Sequence, residues 1–201
     1  RFTLPTSDVA DLQIDTIDIG VNDCQGILYA YDHLYMMGTG TDEVRGIYRV
    51  PDEDGKGNYG EPILMKEIPK NGDHSGHTLL VGPEENSLYF LSGNANRPPE
   101  GEDIEYIYSN WKNDHLSPLN SIFGGSQKPP GGYVLRTDKE GTDWQLIAYG
   151  LRNPYDMCFS PEGELFTYDS DMEWDFNLPW YRATRVNHLV SGGDYAWRQS
   201  T

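Results

Sequence analysis

Apolar residues along this chain come in short clusters rich in Tyr, Ile, Val and Leu, separated by Gly, Pro, Asn and Asp. That pattern predicts many short β-strands joined by turns, because β-branched and aromatic side chains fit a pleated surface while the punctuating residues supply turn geometry. Helical periodicity is scarce. Three segments, GILYAYDHLYMM (26–37), HTLLVGPEENSLYFLSG (77–93) and YDMCFSPEGELFTYDSD (155–171), each hold two apolar runs around a turn and predict hairpins. In two of them a Pro stands early in the turn ahead of a Leu-aromatic pair: Pro83 before Leu88-Tyr89, and Pro161 before Leu165-Phe166. Proline presets φ for the first central position of such a turn.

A further strand is predicted after each hairpin, at GIYRV (46–50), GYVLRT (132–137) and TRVNHLV (184–190). A unit of two or three strands repeated with irregular insertions predicts an all-β fold of the propeller kind. At roughly 40 to 50 residues per blade, residues 1–201 read as a single partial β-propeller domain of about four blades, incomplete ones included. The chain starts on Arg1 and not Met, and its last residues, GGDYAWRQST, stop where another strand would begin. The expectation is a fragment with open sheet edges, hence poor solubility alone. The longest interruption, 94–131, carries five Pro and little alternation; Tyr106, Tyr108, Trp111 and Phe123 within it suggest a packed lid.

Charge narrows the partners. Fifteen Lys+Arg against 32 Asp+Glu give a formal net charge of −17 over 201 residues, a field that repels nucleic acid and anionic membranes and favours cations or neutral polyols. No apolar run approaches the roughly 20 residues a membrane-spanning helix needs, and the N-terminal residues lack the basic and apolar regions of a signal peptide. Cys24 and Cys158 are too few for a disulfide framework; they read first as small buried residues, with one bridge between them as the alternative.

Three loop segments carry candidate chemistry. Asp73-His74-Ser75-Gly76-His77 places two histidines beside a carboxylate just before a strand; His74 fits either a turn cap or a general base oriented by Asp73. Arg152, in Gly150-Leu151-Arg152-Asn153-Pro154, lies at a strand-to-strand turn, where its guanidinium can pair with a surface carboxylate or stabilise an anionic group. Asp169, Asp171, Glu173 and Asp175 alternate after a strand, which reads as a solvated acidic loop or, through Asp169 and Asp171, a calcium site.

Taken in order, DHSGHTLLVGPEENSLYFLSGN, GLRNPYDMCFSPEGELFTYDSD and TRVNHLVSGGDYAWR resemble the glucose/sorbosone dehydrogenase family of six-bladed propellers. The resemblance is closest to the membrane-bound dehydrogenase propeller proteins of planctomycete-type bacteria. It implies a periplasmic or extracellular quinone-dependent oxidoreductase acting on a sugar, polyol or aldehyde, with pyrroloquinoline quinone and calcium as cofactors and a haem or cytochrome c electron acceptor. By resemblance His74 is the base that takes the hydroxyl proton, with Asp73 beside it. Arg152 and Asn153 stand in the R-N-P turn that stabilises the reduced quinone, and Gln25 helps to hold cofactor and substrate. The sequence departs from the family where Asp169-Ser170-Asp171 replaces a Gly-Pro that binds calcium through its carbonyls. A non-catalytic carbohydrate- or protein-binding propeller using Trp111, Trp174, Trp180 and Tyr181, and a calcium-dependent lactonase-like hydrolase, are the alternative readings.

Overall fold

The computed structural model describes residues 2–3, 13–68, 73–99, 101, 104–106, 131–170, 174–175, 178–179, 184–195 and 197. Strands β1 (Phe2–Thr3) and β2 (Gln13–Ile14) pair with each other. The first large sheet is an antiparallel meander of β3 (Val21–Ala30), β4 (His33–Gly40), β5 (Arg45–Pro51) and β6 (Ile63–Glu67). The second is built on β7 (Gly76–Val81), β8 (Ser87–Ser92), β9 (Ile104–Tyr106), β10 (Gly132–Asp138) and β11 (Trp144–Leu151), with β7-β8-β10-β11 as the meander and β9 lying parallel to β11. In the third, β12 (Met157–Phe159), β13 (Leu165–Asp169) and β16 (Arg185–Leu189) run in that order, and the short pair β14 (Trp174–Asp175) and β15 (Leu178–Pro179) falls between β13 and β16 in the chain. Finally β17 (Gly193–Asp194) returns to the second sheet and lies parallel to β11 at Ala148 and Tyr149.

The fold is a partial β-propeller, and among the described residues no helix occurs. All three predicted hairpins form, and all three following strands continue their sheets, as β5, β10 and β16. Most of the predicted lid, including Tyr108, Trp111 and Phe123, lies outside the described residues, but its Ile104–Tyr106 stretch is the strand β9. With β17, β9 covers the outer edge of β11, a device that blunts an otherwise open edge.

Stacking of sheets explains why the second sheet reads as nearly continuous hydrophobics. On β8, Leu88 and Phe90 pack with Tyr35, Ile47 and Leu79 on the first-sheet side, while Tyr89 and Leu91 join Met157, Leu165 and Leu189 on the third-sheet side. Strand β10 does the same with Leu135 and Val134. A sheet buried on both faces needs apolar residues at successive positions, not alternate ones.

Both cysteines are free and neither is fully buried, which corrects the sequence expectation. On β12 the strand alternation sends Met157 into the core and leaves Cys158 exposed. Cys24 is half-buried at an irregularity of β3.

The innermost strands approach so closely that one position admits no side chain. A Cβ on Gly26 of β3 would collide with Leu79 and stand 2.9 Å from the His77 carbonyl oxygen of β7. Strand pairing also breaks in three places near one end of the sheets: at Asp23–Gln25 on β3, at His77 on β7 and at Gly150 on β11. Bulges of this kind bend a strand and re-aim its side chains, and they recur beside functional sites.

Candidate functional site

The ends of the strands that carry those bulges converge with the start of the third sheet. The segment before β7 is zipped to the one after β8: Gly93 N–H donates to the Ser75 carbonyl and Ala95 N–H to the His74 carbonyl, each at 2.9 Å. This extends the hairpin beyond its bulge and presents His74, half-buried, on a fixed backbone.

The His74 ring is held by a residue that sequence spacing did not single out. Nδ1 lies 2.7 Å from Asn94 Oδ1. An amide oxygen only accepts, so this orientation puts the proton on Nδ1 and the lone pair on Nε2. Asp73, the orienting partner expected from sequence, is exposed. The Asn94 backbone N–H donates to the Arg152 carbonyl at 2.8 Å, which ties the histidine to the turn of the third sheet.

That turn is braced from below by Asp169. Its carboxylate is fully buried and accepts the backbone N–H of Arg152 at 3.0 Å and that of Asn153 at 2.8 Å, one on each oxygen. Burial pushes its pKa up, while these amides pull the other way. Ser170, next in the chain, accepts from Arg152 Nη1 at 3.0 Å and so fixes the half-buried guanidinium. On the other side, His77 Nε2 lies 2.9 Å from Asn153 Oδ1, and Ser75 Oγ donates to Gln25 Oε1 at 3.0 Å.

The structure therefore joins Gln25, His74, Arg152, Asn153 and Asp169 into one network across three sheets. Asp171 lies outside the described residues. Asn94, which the sequence places at the start of a long loop, and Ser75 and Ser170 carry no sequence signal of their own. Their partners are 20, 50 and 18 positions away, a separation that leaves no local periodic signal. Among the described residues no three His, Cys, Asp or Glu side chains gather as a metal-ligating group.

Gly93 is another position where a side chain is excluded. A Cβ there would stand 2.7 Å from the His74 carbonyl oxygen and 3.0 Å from its carbonyl carbon and Cβ. Gly93→Ala is expected to displace His74, lowering stability by about 1–3 kcal/mol through overpacking. Turnover in any reaction using His74 is expected to fall by up to about 100-fold. Denaturant unfolding and steady-state rates on the same variant check both effects.

No protein-family model matches the chain, and none of the curated proteins matches it significantly. Among solved structures, it is similar to the PQQ-bound form of aldose sugar dehydrogenase from Streptomyces coelicolor, with 21% identity, a TM-score of 0.58, and 89% of this chain covering 50% of that one. It is equally similar to an oxidoreductase (glucose dehydrogenase) from Thermus thermophilus, with 21% identity, a TM-score of 0.58, and 93% of this chain covering 56% of that one. The chain thus spans about half the length of these propellers and shares their fold.

Proposed function

We propose that this chain forms part of the mouth of a quinone-dependent oxidoreductase acting on a sugar or a related polyol or aldehyde. The observation that carries the reading is the arrangement around His74: a histidine whose Nδ1 is engaged by Asn94, leaving Nε2 as a base, tied through Asn94 to the turn that carries Arg152. The similarity of fold to a PQQ-bound aldose sugar dehydrogenase supports it.

The donor set suits a quinone rich in carbonyl and carboxylate oxygens. Arg152 offers a charged fork fixed by Ser170, Gln25 an amide, and Asn94 a buried Nδ2 without a hydrogen-bond partner among the described residues. When bound, such a quinone supplies a two-electron acceptor for the hydride that leaves the substrate carbon. The residues of this chain do the rest. His74 Nε2 takes the substrate hydroxyl proton, Asn94 keeps the ring in the tautomer that can accept it, and Arg152 holds positive charge where negative charge grows.

The described residues offer calcium no cluster of carboxylates. Both oxygens of Asp169 are engaged by backbone amides, and no acidic cluster stands beside it among the described residues. No step is assigned to a metal.

The test is titration of the full-length protein with pyrroloquinoline quinone, followed by the absorbance of the cofactor, with and without calcium. Saturable binding that Arg152→Ala weakens about 10- to 100-fold, as loss of a charge-assisted hydrogen bond predicts, supports the reading. Absence of binding to the wild type, or equal binding to Arg152→Ala, rejects it.

A further inference from the structure

The second histidine of the D-H-x-x-H segment has no part in the proton transfer proposed above, yet it is the more buried of the two. His77 is 7% exposed and sits at the bulge of β7. Three elements fix it. Gly26 of the neighbouring sheet runs so near its backbone that a Cβ there would stand 2.9 Å from the His77 carbonyl oxygen. Its ring packs against Tyr155, with centroids 5.1 Å apart and planes at 34°. Its Nε2 meets Asn153 Oδ1 at 2.9 Å, while Nδ1 is buried without a partner among the described residues.

The chemistry of that contact is directional. Asn153 Oδ1 is an acceptor, so His77 donates its Nε2–H, and in the neutral ring the lone pair then falls on the buried Nδ1. A neutral ring is what burial favours, and burial lowers the pKa of this histidine. Leaving Nδ1 unpaired has a cost, and the bond to Asn153 is the one hydrogen bond seen for the ring among the described residues.

We propose that His77 is a positioning residue that reaches from the second sheet to hold Asn153, so that the Arg152–Asn153 turn is clamped by His77 on a side chain and by the Asp169 carboxylate on its backbone. Asp169 grips the turn through its backbone amides and His77 through the side chain of Asn153. Neither grip alone fixes both the path of the turn and the direction of its side chains. The inference rests on the functional reading above for its consequence in quinone binding, but the clamp itself is a statement about the turn.

The experiment compares wild type, His77→Ala, His77→Gln and Asn153→Ala in the full-length protein by two readouts. One is affinity for pyrroloquinoline quinone; the other, made without ligand, is hydrogen exchange at the Arg152 and Asn153 backbone amides. His77→Ala is expected to weaken quinone binding and to speed exchange of both amides, each about tenfold, the loss a single buried hydrogen bond predicts. His77→Gln, whose amide nitrogen can take the place of Nε2, is expected to restore both to within about threefold of wild type. Asn153→Ala removes the acceptor while leaving His77 in place and is expected to match His77→Ala in exchange, which decides the matter should His77→Ala fold poorly. Unchanged exchange in His77→Ala and Asn153→Ala, or equal damage from His77→Ala and His77→Gln, overturns the proposal. If the wild type binds no quinone, the functional reading falls and the exchange data alone decide whether the clamp exists.

Discussion

With His74 as the proposed general base, His74→Ala is expected to lower turnover about 10²- to 10⁴-fold, the usual worth of such a group, while leaving quinone affinity within a few-fold of wild type. The separation follows from geometry. His74 is half-buried at the end of the β7–β8 hairpin and is bonded through Nδ1 to Asn94, so its removal takes away a proton acceptor without touching the guanidinium. Arg152 is held independently, by Ser170 on its side chain and Asp169 on its backbone. Asn94→Ala should behave differently. It leaves the imidazole in place but frees its orientation and its tautomer, and it is expected to cost less in turnover than His74→Ala. Single-turnover mixing of the quinone-loaded protein with an aldose reports the chemical step directly. A His74→Ala protein within threefold of wild type in that assay would remove His74 from the reaction.

The strands were legible because turn chemistry and aromatic content agree at each hairpin. Pro83 and Pro161 open turns that join strands at the predicted positions. What the pattern could not show is which faces are covered. Leu88-Tyr89-Phe90-Leu91 reads as a buried run, but that it serves two cores at once depends on sheets on either side. Strands β9 and β17 were not legible either: both are short, and both exist because the edge of β11 accepts them. Cys158 shows the same limit, since a small apolar residue on a strand faces inward or outward according to parity, and Met157 takes the inward place.

The site was legible as a list of motifs and not as a network. Order along the chain brought out Gln25, His74, Arg152 and Asn153, and the structure gathers them. Yet the residues that orient them are small polar groups whose partners come from other sheets. Asp169 is the instructive case. Its place in an acidic alternation suggested a ligand for an ion, but the parity of β13 was already informative: Leu165, Thr167 and Asp169 share the buried face, whereas Tyr168 is exposed. A carboxylate on that face must find donors inside the protein, and the two amides of the neighbouring turn are what it finds.

Asp169→Ala is therefore expected to destabilise the protein by about 3–5 kcal/mol. Two hydrogen bonds to a charged acceptor are lost, each worth about 1.5–3 kcal/mol, and the Arg152 and Asn153 amides are left without their acceptor. Burial of the carboxylate works against it, as the upward push on its pKa shows, which keeps the figure below the simple sum for the strongest bonds. Asp169→Asn tests the same idea with almost no change in volume. Its side chain keeps one acceptor but turns an NH₂ toward the second amide, so one bond is lost and two donors face each other. It should therefore fall between wild type and Asp169→Ala, and should not behave as a neutral isostere. Denaturant midpoints of the three proteins give the order, and hydrogen exchange at Arg152 and Asn153 locates the loss in the turn. If Asp169→Ala cost less than about 1 kcal/mol, the turn would be held by its other contacts, the Asn94 N–H on the Arg152 carbonyl, His77 on Asn153 and Ser170 on the guanidinium.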